Sequence, residues 1–124
     1  MDHKDLEFER NIHEVGIAYI HDLLDGVGFR INDLNKDPDH HFQLFAQKKD
    51  RAMLIAVRTA CHPDVGTIDP VTKKKLIEES EQLNATPYFA GLSLTVTKVN
   101  DIQVEDITKG EDYNIIFNGM TVVR

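Results

Sequence analysis

A chain of 124 residues, 41% hydrophobic and 28% charged, suits one soluble globular domain with enough length to bury a core. Its formal net charge of −7 weighs against tight nucleic-acid binding, because cations set against phosphates supply most of that affinity. No apolar run reaches bilayer length, the start MDHKDLEFER is too charged for a signal peptide, and a lone Cys61 excludes an internal disulfide, so a cytoplasmic protein is expected.

Residues 4–27 read as a helix, since Ile12, Val15, Gly16, Tyr19, Ile20, Leu23, Leu24 and Val27 recur at steps of three and four. Gly26 and Gly28 stop it. FRI (29–31) reads as a short strand and NDLNKDPDH as a loop. HFQLFAQ (41–47) alternates Phe42, Leu44 and Ala46 against Gln43, Phe45 and Gln47, as a strand does. KKDR (48–51) reads as a hairpin turn into AMLIAVRTA (52–60), apolar enough for a central strand covered on both faces.

After the loop CHPDVGTI, Asp69 as N-cap and Pro70 as first helical residue open a second helix that runs to about Leu83, where Asn84 ends it. PYFAGLSLTVTKV (87–99) is the longest strand. Tyr88, Ala90, Leu92, Leu94 and Val96 share one face; Phe89, Gly91, Ser93, Thr95 and Thr97 share the other. In YNIIFNGMTVVR, Asn118-Gly119 between two β-rich runs predicts a type I′ hairpin. There are no internal repeats, low-complexity tracts or Pro/Gly-rich linkers, so residues 1–124 are expected to form a single α/β domain.

The order helix, three strands, helix, strand, together with the stretch LIAVRT (54–59), resembles the restriction-endonuclease-like or PD-(D/E)xK nuclease superfamily, which includes Holliday-junction-resolvase-like domains. The resemblance covers roughly residues 8–98 and implies an αβββαβ core, a mixed central sheet flanked by helices, here with a C-terminal β-hairpin extension. It also implies where catalytic groups would stand. The family carries an Asp on one strand and Glu-x-Lys on the next; the carboxylates bind Mg²⁺ and the metal generates the nucleophile. Here Gln43 stands for the Asp, Ala56 for the Glu and Arg58 for the Lys, while Thr59 matches. Ala56 has no oxygen for a metal, the Gln43 amide is a poor Mg²⁺ ligand, and Arg58 keeps the charge without serving as a base. The resemblance thus implies a degenerate site, with no catalytic residues, metal or cofactor. Glu14, Glu78 and Glu79 are residual acids that a relocated, Mg²⁺-dependent site would draw upon.

Other motifs carry less. His13-Glu14 lacks the second His that a zinc-protease helix requires, because Ile17 occupies that position. Cys61-His62-Pro63-Asp64 and Asp39-His40-His41 contain metal-ligand types, but adjacent residues seldom reach one ion. They read as polar loop residues, and Cys61 as a small partly buried thiol. Lys73-Lys74-Lys75 with Glu78, Glu79 and Glu81 reads as a solvated helix face with i,i+4 pairs.

The expected function is that of a catalytically inactive nuclease-fold domain acting by binding, as a regulatory or assembly component. An active nuclease with a relocated acid, or an unrelated small α+β domain, is the alternative. A homodimer is expected, because Tyr113, Ile115, Phe117, Met120 and Val122 on the terminal hairpin offer apolar surface beyond the core. An unknown protein partner is compatible with this, no membrane association is expected, and nucleic acid should bind weakly at most, through Lys48, Lys49, Arg51 and Lys73–Lys75.

Overall fold

The computed structural model describes residues 3–96 and 113–124. Eight elements follow one another: α1 (His3–Gly26), β1 (Arg30–Leu34), β2 (Leu44–Lys48), β3 (Arg51–Cys61), α2 (Pro70–Gln82), β4 (Thr86–Val96), β5 (Tyr113–Phe117) and β6 (Thr121–Val122). The strands form one six-stranded mixed sheet in the order β1-β2-β3-β4-β5, with β6 also on β4. β1, β2 and β3 are antiparallel neighbours, β3 and β4 run parallel through α2, and β5 and β6 return antiparallel to β4. This is the expected mixed α/β architecture.

α1 ends where Gly28 takes φ 94. β1 begins at Arg30 and continues through Asn32 and Asp33 into the segment expected to be loop. β2 and β3 are joined by a two-residue turn, with Lys49 at φ 55. Asp69 caps α2 by accepting the Thr72 amide, and Asn84 at φ 55 follows its C-cap Leu83, as the sequence predicted. β2 starts three residues late. Phe42 consequently packs with Leu54, Ala56 and Leu76, away from Leu44 and Ala46.

The two faces of the sheet bury separate clusters. On one face, Ile17, Ile20 and Leu24 of α1 pack on Leu44, Ala46, Ile55, Val57, Ala90 and Leu92. On the other, Leu76 of α2 packs with Phe42, Leu54, Ala56 and Val123. Alternation along β3 therefore assigns even-numbered residues to α2 and odd-numbered residues to α1.

The C-terminus differs from expectation. β5 and β6 do not form a hairpin: β5 pairs residues 113–117 with 92–96 of β4, and β6 pairs Thr121 and Val122 with Phe89 and Tyr88. They are two halves of one edge strand, interrupted at residues 118–120, where Gly119 takes φ 106. The Asn-Gly signal marks a kink here, because the long β4 can pair with both flanking runs. The apolar surplus expected of a hairpin is also largely absorbed, since Ile115, Phe117 and Met120 pack against the core, leaving Ile116 and Val122 exposed. The Tyr113 side chain and the expected end of β4, residues 97–99, lie outside the described residues. The basic residues make no single strip. Lys48, Lys49 and Arg51 flank the turn before β3, whereas Lys73–Lys75 belong to the helix that follows its far end.

Candidate functional site

The site is built around the loop between β1 and β2. An Asn35 amide to the Gln43 carbonyl, at 2.8 Å, closes the loop at its base. Inside it, Asn35 Oδ1 accepts the Asp37 amide and Asp37 Oδ1 accepts the Asp39 amide, both at 2.9 Å. The His40 amide donates to the Asp37 carbonyl at 3.2 Å. These side-chain-to-backbone turns follow from the Asn/Asp-rich composition of the segment. Beyond Gln43, whose backbone amide still donates to the Ile55 carbonyl at 2.9 Å, they bend the chain away from β3, which would leave the Val57 amide without a strand partner.

The Gln43 side chain takes the missing place. Fully buried, its Oε1 accepts the Val57 amide at 2.7 Å and Arg58 Nη1 at 2.8 Å. Its Nε2 donates to the carbonyls of His40 at 2.8 Å and Asp37 at 3.2 Å. A primary amide offers two donors and two acceptor positions, and all four are used. Arg58 adds Nη1 to the Val57 carbonyl and Nη2 to the His40 carbonyl, both at 3.0 Å. Burial lowers the Arg58 pKa from its usual value, while Asp69 and then Asp39 oppose the shift from a distance. Among the described residues no carboxylate lies within ion-pair distance of it. The Gln43 backbone amide donates to the Ile55 carbonyl, and Ala56, the next residue of β3, is fully buried in the α2-side cluster.

Gln43 and Arg58 are thus joined directly, and Ala56 lies two residues before Arg58 on the α2-facing side of β3. The acids separate. Glu14 is on α1, over the opposite face, in a groove of about 510 Å³ lined also by Tyr19, Asp22, Leu34 and Lys36, so the expectation that it joins the other three is not met. Glu78 points elsewhere too, into a surface groove with Lys73, Lys74 and Arg124. Only Glu79 reaches the loop, where it contacts His41 Nε2. His40 and His41 lie ring to ring with centroids 4.4 Å apart. The metal-binding atoms of His40, His41 and Glu79 all fall within 4.8 Å of one another. Sequence reasoning noted the two histidines but not their partner, which lies 38 residues along the chain from His41.

Two further groups have definite surroundings. His13 is buried on α1 and its Nε2 has no partner; burial, then Arg58, lowers its pKa to about 4 against the raising effect of Asp37 and Asp39. Cys61 is held up by burial and by Asp64, which disfavours the thiolate a nucleophile needs.

The model of a domain of unknown function, DUF8840, matches residues 10–123. The chain belongs to this family. The match spans the sheet, α2, α1 from residue 10 onward and the Gln43–Arg58 site together. No curated protein matches the chain. Among the described residues, no helix of this DUF8840 member is long and apolar enough to cross a membrane.

Proposed function

We propose that this protein is a restriction-endonuclease-like domain that has lost hydrolysis at the superfamily's usual position and acts by binding, as a regulatory or assembly component. The observation that carries this reading is the saturated Gln43 amide. A carboxylate in its place would turn an oxygen toward the Asp37 and His40 carbonyls, and Ala56 offers nothing to a metal. A hard cation seeking carboxylate oxygens has no ligand set there. What in a nuclease would be a catalytic Asp and Lys pair serves here to clamp a loop to β3. The αβββαβ order and the change from antiparallel to parallel pairing at β3–β4 also support the relationship.

The alternative, a catalytic acid relocated to α2, draws on Glu79. Its neighbours are imidazoles, which suit a metal of the zinc type better than Mg²⁺. The test is incubation of purified protein with single- and double-stranded DNA and RNA in Mg²⁺ or Mn²⁺. No cleavage is expected. Cleavage that co-purifies with the protein and is lost in Glu79→Gln would overturn the reading.

Self-association belongs to the same proposal. β5 and β6 end the described sheet, with Ile116 and Val122 exposed on them. A second copy pairing along this edge would cover both side chains. Scattering mass at micromolar concentration is expected to give a dimer, and a monomeric mass would remove the dimer without touching the rest.

A further inference from the structure

We propose that His40, His41 and Glu79 form a binding site for a divalent transition-metal ion of the zinc type, tying the β1–β2 loop to α2. Two imidazole nitrogens and one carboxylate oxygen are a donor set that borderline cations such as Zn²⁺ take, whereas Mg²⁺ and Ca²⁺ prefer oxygen alone. The three donor groups already lie within 4.8 Å of one another. The inference does not depend on the nuclease relationship.

Adjacent histidines on an extended strand would point apart. Here they precede β2, in the stretch bent by the Asp37–His40 turn, and their rings stack at 4.4 Å with planes 35° apart. Phe42, buried beneath, meets His40 edge-on at 4.7 Å and His41 at 5.5 Å, which restrains both imidazoles. Glu79 approaches from α2, whose flanking Leu76 and Ser80 are fully buried, so its backbone is fixed separately.

The Gln43–Arg58 clamp preorganises this site. Arg58 Nη2 and Gln43 Nε2 both hold the His40 carbonyl, fixing the backbone from which both imidazoles project. Glu79 supplies a carboxylate to the site itself. The site is partly open, the His41 and Glu79 side chains being 21% and 33% exposed, so an ion can enter without unfolding. Three protein donors leave a coordination position for water.

The test is calorimetric titration of the chelator-treated 124-residue chain with Zn²⁺ alone, with Co²⁺ absorption as a spectroscopic check. One equivalent per chain is expected, with a higher Tm and the intense visible bands of four-coordinate Co²⁺. Glu79→Gln, which retains a hydrogen-bonding partner for His41, and His41→Ala should each weaken Zn²⁺ binding at least tenfold. Arg58→Met, which removes no metal-binding atom but releases the His40 carbonyl, should weaken it about tenfold. The control His21→Ala/His62→Ala, which removes exposed imidazoles elsewhere, should bind like the unaltered protein, and each variant's metal-free melt establishes that it folds. Absence of stoichiometric binding by the unaltered protein, or binding that survives both Glu79→Gln and His41→Ala, would overturn the proposal and leave a simple His41–Glu79 contact.

Discussion

The two faces of the sheet deal with polar atoms in opposite ways. Under α1 the contact is so close that polar atoms go without partners. A Cβ on Gly16 would lie 1.8 Å from Thr59 Oγ1, so only glycine admits this approach, and both Thr59 Oγ1 and the nearby helix's His13 Nε2 are buried without a hydrogen bond. Under α2 the polar side chains of the sheet are matched, Gln43 completely and Arg58 through three acceptors. Ser80 Oγ, on the helix itself, is the exception on that side. The α1 face is therefore limited by volume and the α2 face by hydrogen-bond geometry. An equal change in side-chain size should act through different physics on each.

The largest expected effect comes from restoring the absent acid. Ala56→Glu should destabilise the fold by about 4 kcal/mol or more, since it forces a charge among Phe42, Leu54 and Leu76. Chemical denaturation measures this, and a stable Ala56→Glu variant that cleaves DNA would break the comparison outright. Gln43→Ala should cost roughly 3 kcal/mol, by orphaning the buried Val57 amide and leaving a cavity. Hydrogen exchange should show residues 35–42 losing protection before the rest of the sheet. A uniform loss would mean that Gln43 supports the whole core and not the loop.

On the opposite face, Gly16→Ala should cost about 2 kcal/mol by overpacking against Thr59. The same substitution in a Thr59→Ala background should cost less, because the nearest atom is gone. Equal costs in both backgrounds would relocate the constraint to the helix backbone. The smallest effect is on pH dependence. His13 binds its proton with a pKa near 4 when folded against the ordinary 6.5 when unfolded. The unfolded chain thus takes up the proton first as the medium acidifies. The contribution is intact above 6.5 and is lost as pH falls from 6.5 toward 4. His13→Leu should flatten the Tm–pH profile across that window, and an unchanged slope would show that other groups set it.

Local chemistry made much of this fold legible in the sequence. The Asp69-Pro70 start of α2, the Gly28 stop after α1, the Lys49-Asp50 turn and the period-two pattern of β4 are all short-range effects, settled by φ preferences, caps and alternation. The meeting of Gln43 and Arg58 was also legible, because the resemblance set them on neighbouring segments of the sheet.

Tertiary structure decided the rest. Asn118-Gly119 reads locally as a hairpin, yet it became a kink because the long β4 supplied partners to both of its flanks. The position of Glu14 depended on which face α1 covers, and periodicity gives a helix its buried stripe without saying which side of the sheet receives it. The Gln43 amide gained its role from a loop that leaves β3 one residue early, which composition alone does not state. The His41–Glu79 contact joins residues 38 apart, and only packing of α2 against that loop brings their side chains together. Short-range chemistry specified the elements of this chain, while the meeting of distant side chains required the sheet to exist first.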